Sequence, residues 1–112
     1  MTSKHILTVA FILSASALNA SAQEFGDVKK GQAFAQMVCA ECHSVTARPA
    51  LSPNSNAPAF STDANTAGMT AMALRTWLQT SHPTMPNIMV RTDDRDNVIA
   101  YILSLNNKNK GL

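Results

Sequence analysis

Apolar residues recur with the period of an α-helix in four stretches of this chain. From Val28 to Cys42, Gly31, then Phe34 or Ala35, then Val38 fall on one face. Asp27 stands before them as an N-cap. A short second segment runs from Pro58 to Asn65, with Pro58 suited to a first helical turn. A third follows Thr70 as N-cap, with Ala73 or Leu74, Trp77 and Leu78 as its apolar stripe. The fourth starts after Thr92 and carries Asp93 and Asp94 in its first turn, where negative charge suits the helix dipole. Its predicted buried face is Val98, Tyr101, Ile102 and Leu105. Residues 44–57 are rich in Pro, Ser and Asn, and residues 81–90 hold Pro83 and Pro86, so neither stretch is a regular helix. Nothing alternates with period two for long, so the chain reads as all-α. The polar tail 106–112 is expected to fray. Met37, Met69 and Met72 fall on predicted helices and read as packing residues.

The N-terminus follows a different pattern. Lys4 and His5 make a short basic start, Ile6 to Leu18 is mainly apolar, and Ala20-Ser21-Ala22 follows as a small-x-small site. That is the order of a secretory signal peptide, cleaved after Ala22. The apolar run falls short of the roughly 20 residues that span a bilayer, so no stable membrane insertion is expected. The expected division is a signal peptide over 1–22 and one domain over 23–112. A domain this short buries a modest share of its surface. Its aromatics, Phe25, Phe34, Phe60, Trp77 and Tyr101, would make a thin core unless a large apolar group completed it. Without the leader, eight Lys and Arg face seven Asp and Glu. That balance excludes the dense basic face that nucleic acid requires, and it supplies no strong steering field.

Two cysteines in an exported protein suggest a disulfide. Here they lie in Cys39-Ala40-Glu41-Cys42-His43. A disulfide across so short a loop gains little. A thioredoxin-like pair expects a βαβ setting that the chain lacks. Structural zinc expects other spacings, and His82 is the only further histidine outside the leader. Residues at i, i+3 and i+4 share one helix face. On such a face two thiols can add across the two vinyl groups of one haem, with His43 placed under the iron. This spacing is the one used for c-type haem attachment.

A sixth iron ligand has to come from elsewhere. In His82-Pro83-Thr84-Met85-Pro86-Asn87, each residue before a proline is pushed toward an extended backbone. Met85 is therefore held in a stiff loop that can present its thioether at low entropic cost. Met89 is a rival, because Val90 beside it suggests re-entry into the core. His82 is another, and it would give a bis-His haem.

At this point the chain resembles the class I c-type cytochromes, the small soluble bacterial monohaem kind. The resemblance rests on Gly31 and Phe34 ahead of Cys39 to His43, on Asn56-Ala57-Pro58-Ala59-Phe60, on Trp77-Leu78 leading into His82 to Asn87, and on Asp96 to Leu105. The family often has Gly before its loop proline, whose carbonyl meets the axial histidine; this chain has Ala57 before Pro58. The resemblance implies about four helices wrapping one haem c, with first and last helices crossing at near right angles. Gly31 would permit their close approach, with Phe34 and Tyr101 packed beside it.

With Cys39 and Cys42 as attachment points and His43 and Met85 as axial ligands, no iron position is open. The expected role is a periplasmic one-electron carrier, monomeric and not an enzyme, that exchanges electrons with redox partner proteins. The readings left open are a gas-binding or sensor haem protein with a displaceable Met85, and a haem subunit of a larger oxidoreductase.

Overall fold

The computed structural model describes residues 25–86 and 88–110, and the expected signal peptide over 1–22 lies outside them. Among the described residues there are four α-helices and no strand, as the sequence pattern predicts.

Helix α1, Val28–Phe34, is capped by Asp27, whose carboxylate accepts from the Lys30 amide at 3.0 Å. That bond holds the Asp27 carboxyl below its ordinary pKa. The helix does not continue unchanged to Cys42. Residues Ala35–Cys39 widen into a π turn, and the Ala40 amide donates to the Ala35 carbonyl at 2.9 Å. Such turns occur within α-helices, frequently at functional sites. Helix α2, Phe60–Asn65, begins two residues after Pro58, because Ala59 is still extended at φ −70°, ψ 141°. Helix α3, Ala71–Gln79, has the expected Thr70 cap, with the hydroxyl accepting from the Ala73 amide at 3.1 Å. Helix α4, Thr92–Ser104, starts one residue earlier than expected. Arg91 is its N-cap, and the charges of Asp93 and Asp94 stand in place of a side-chain cap.

Ala35, Val45, Phe60, Ala64, Leu74, Val98, Ile99, Tyr101, Ile102 and Leu105 form one buried cluster. Helix α4 runs through its middle and buries every residue from Val98 to Ile102. That is a wider face than a surface helix would show. Trp77 departs from the predicted apolar stripe of α3, since Leu74 fills the core and Trp77 is 56% exposed. Met37 and Met72 are exposed rather than packed, while Met69 lies against the edge of the core.

The most extensive helix contact is between α1 and α4. A Cβ at Gly31 would run into the Asn97 backbone carbonyl and lie 2.9 Å from Tyr101 Cβ. Gly26 meets the Asp96 carbonyl in the same way, at a φ of 123° that glycine tolerates. Asn97 closes the seam by accepting from the Asp27 amide at 2.7 Å through its Oδ1. Helix α3 is linked to α4 by the Arg75–Asp96 ion pair at 2.7 Å.

The predicted fraying does not begin at 106. Asn107–Lys110 form a 3-10 turn. Asn106 Nδ2 donates to the Ala64 carbonyl at 2.6 Å. Asn65 Nδ2 donates to the Ser61 carbonyl at 2.7 Å, and Asn65 Oδ1 accepts from the Asn107 amide at 2.9 Å. These paired asparagines tie α2 to the end of α4.

The crossing makes a prediction about sign. An exposed Gly→Ala change within a helix gains up to about 1 kcal/mol. Gly31→Ala should instead destabilise by about 1–3 kcal/mol, the range for overpacked contacts, because backbone cannot rotate aside. Chemical denaturation of both proteins checks it, and a higher midpoint for the variant would place Gly31 at an open position.

Candidate haem site

The π turn delivers Cys39 directly into the attachment sequence. The amides of Cys42 and His43 both donate to the Cys39 carbonyl, at 3.1 and 2.9 Å, so the five residues close as one tight turn. Neither cysteine is in a disulfide, and both are half-buried. Burial pushes the Cys39 thiol up to about 11. A dithiol redox pair needs the opposite shift, toward a thiolate at neutral pH.

Beyond His43 the chain is pinned to the core. The Tyr101 hydroxyl donates to the Val45 carbonyl, and the Phe60 amide donates to the Ser44 carbonyl at 2.9 Å. These bonds bring the extended stretch before α2 alongside the His43 ring. His43 Nδ1 lies 2.7 Å from the Pro58 carbonyl oxygen. A carbonyl only accepts, so Nδ1 carries the hydrogen and Nε2 is left with its lone pair. This is the arrangement of a metal-ligating histidine, its tautomer and ring plane set by a backbone acceptor. Phe60 braces the ring, centroid to centroid 5.3 Å and tilted by 50°. Ala57, where glycine is usual, does not prevent the Pro58 contact.

The loop that holds Met85 borders the same cleft as this ring. That cleft is lined by Cys42, His43 and Pro58 together with His82, Thr84, Met85 and Pro86. The expected axial pair, His43 and Met85, therefore borders one cavity. Met85 is half-buried there, whereas Met89 is 92% exposed and lines neither this cleft nor the one on the far side of the loop. His82 borders the same cleft, and its Nε2 lies 3.0 Å from Met85 Sδ. Among the described residues, His, Cys, Asp and Glu nowhere gather in threes fit to hold a bare metal ion.

The donor set fits a haem. Two thiols stand at the attachment spacing, one histidine has a free Nε2, and a thioether borders the same cavity. The Asn65–Asn106 clasp, which carries α2 and hence Phe60 to this place, has no counterpart in the sequence pattern. Asparagines beside helix ends are its only trace there. Asp63, in the first turn of α2, also escapes the pattern. Burial raises its pKa, and the nearby His43 partly opposes that rise.

A sequence model of the cytochrome c family matches residues 28–106, which holds both cysteines, both histidines of the site and all four helices. The chain belongs to the cytochrome c family, whose members carry electrons on haem c. No curated protein and no solved structure matches it.

The raised Asp63 carboxyl gives a pH signature. A group that binds its proton more tightly when folded stabilises the fold below its unfolded pKa and loses that contribution as pH rises through its folded pKa. Asp63→Asn should therefore unfold at a higher temperature than the parent protein at neutral pH. The gain should fade below about pH 4, where unfolded aspartate is itself protonated. Thermal melts across pH test this, and an equal gain at every pH would assign the effect to something other than titration.

Proposed function

We propose that this chain is a periplasmic one-electron carrier holding a single haem c through Cys39 and Cys42, with His43 and Met85 as the axial pair. The observation that carries the reading is that His43, held through Nδ1 by the Pro58 carbonyl, and Met85 border one cavity. Haem bound there supplies the ferrous–ferric couple. The chain's own residues then do four things. Cys39 and Cys42 fix the group by two thioethers. The Pro58 carbonyl holds His43 in one tautomer. Pro83 and Pro86 stiffen the loop that presents Met85. The buried cluster around Val98 and Tyr101 anchors the chain just past His43, through the Tyr101–Val45 hydrogen bond. A thioether ligand raises the potential above that of bis-His iron, which suits exchange with higher-potential partners.

With His43 and Met85 both bound to the iron, no coordination place would be left for a substrate or gas. We therefore read the protein as a carrier rather than an enzyme or a gas sensor. It would work as a monomer that meets redox partner proteins in transient encounters. The periplasmic location rests on the leader pattern of residues 4–22. Among the described residues, no helix is long and apolar enough to cross a membrane.

Two measurements test this reading. Mass spectrometry of the acid-denatured holo-protein should find one haem retained on a chain that starts at or near Gln23. Haem released by acid-acetone, or thiols open to iodoacetamide in the unfolded holo-protein, would contradict covalent attachment. Separately, the oxidised protein should show the weak long-wavelength sulfur-to-iron band. Met85→Ala should abolish it and lower the potential, while Met89→Ala should keep it. Loss of the band in Met89→Ala with retention in Met85→Ala would reassign the ligand.

A further inference from the structure

The Met85 loop presents a second donor to the same cavity, and its geometry has no use in the carrier reading. His82 Nδ1 lies 3.1 Å from the Thr80 carbonyl oxygen. That acceptor puts the ring hydrogen on Nδ1 and leaves Nε2 as a bare lone pair in the neutral ring. Nε2 is directed at Met85 Sδ, 3.0 Å away, and a thioether sulfur has no hydrogen to donate. With the ring neutral, Nε2 and Sδ are two lone-pair donors side by side at one cleft, and either could bind a Lewis acid there. The Trp77 ring stands edge-on to His82 at 5.2 Å and 83°, which fixes the imidazole plane. His82 and Met85 both border the cleft that contains His43. His82 is held as His43 is held, by a main-chain carbonyl on Nδ1, with Nε2 free.

We infer that His82 is a standby axial ligand, which takes the sixth iron position whenever Met85 releases it. The inference rests on the haem reading above. The exchange breaks one iron–sulfur bond and forms one iron–nitrogen bond. A neutral thioether leaves and a neutral imidazole enters, so no proton and no electron changes place. Because the two donor atoms lie so close together, a small movement of the loop between Thr80 and Pro86 exchanges them. The consequence is functional. Loss of Met85 would not open the iron to gases or peroxides. It would instead yield a closed bis-His haem at lower potential, withdrawn from exchange with high-potential partners.

The test uses the full-length holo-protein, with covalently attached haem, in four forms: parent, His82→Ala, Met85→Ala and the double variant. Electronic and electron-paramagnetic-resonance spectra report spin state, and carbon monoxide mixing with the reduced protein reports an open position. The parent and His82→Ala should both keep the sulfur-to-iron band. Met85→Ala should be six-coordinate and low-spin without that band, and should lack fast carbon monoxide uptake. The double variant should be high-spin and take up carbon monoxide rapidly. A Met85→Ala protein that is high-spin and binds carbon monoxide as fast as the double variant would overturn the proposal. A parent protein without the band that turns high-spin on His82→Ala alone would show His82 to be the resident ligand. The Met85 reading would then fail, and the standby role with it.

Discussion

Helices α1 and α4 can meet backbone to backbone only because residue 31 has no side chain. The Asn97 carbonyl occupies the space a Cβ would take, and Asn97 Oδ1 then reaches the Asp27 amide. This seam determines where the π turn of Ala35–Cys39 emerges, and so where the two thiols stand. Everything else in the site is referred to α4. Its Tyr101 holds Val45, two residues past His43, and the Asn106 side chain just beyond its end holds Ala64 on α2. With α2 come Phe60 and, just before it, the Pro58 carbonyl, which together orient the His43 ring. One side of the cavity is thus built by a chain of contacts that begins at a glycine.

The other side is built differently. The Met85 loop is stiffened by its own prolines, each restricting the residue before it. Trp77 and Thr80, at the end of α3, position His82 rather than the core. The cavity therefore lies between a wall fixed by the helix seam and a loop fixed by local covalent restraint. That division suits a carrier. In the proposed role a rigidly held His43 would limit rearrangement on electron transfer, and a compact loop could exchange ligands without disturbing the helices.

Much of this was legible from residue order alone. Asp27 and Thr70 cap where polar side chains before apolar periods should, and Cys39, Cys42 and His43 stand at one-face spacing with little room for another chemistry. Gly31 announced a packing reason by its cost inside a helix. Several of the misses depend on partners distant in sequence. Trp77 fits the stripe of α3 by spacing, yet Leu74 takes the core and Trp77 turns to His82. Asn106 looks like the start of a frayed tail until Ala64, 42 residues away, supplies an acceptor. The π turn adds a residue to the helix without any change in hydrophobic period. The Pro58 carbonyl is suggested only by the family resemblance, because backbone acceptors carry no label in side-chain patterns.

The central claim is that one haem lies between His43 and Met85. Proton magnetic resonance of the reduced holo-protein, with methionine methyl groups isotopically labelled, tests it directly. A methyl group fixed over the face of a haem is moved far upfield by the ring current. The account predicts one such methyl, lost in Met85→Ala and retained in Met89→Ala. A spectrum in which every methionine methyl resonates in the ordinary range would contradict it.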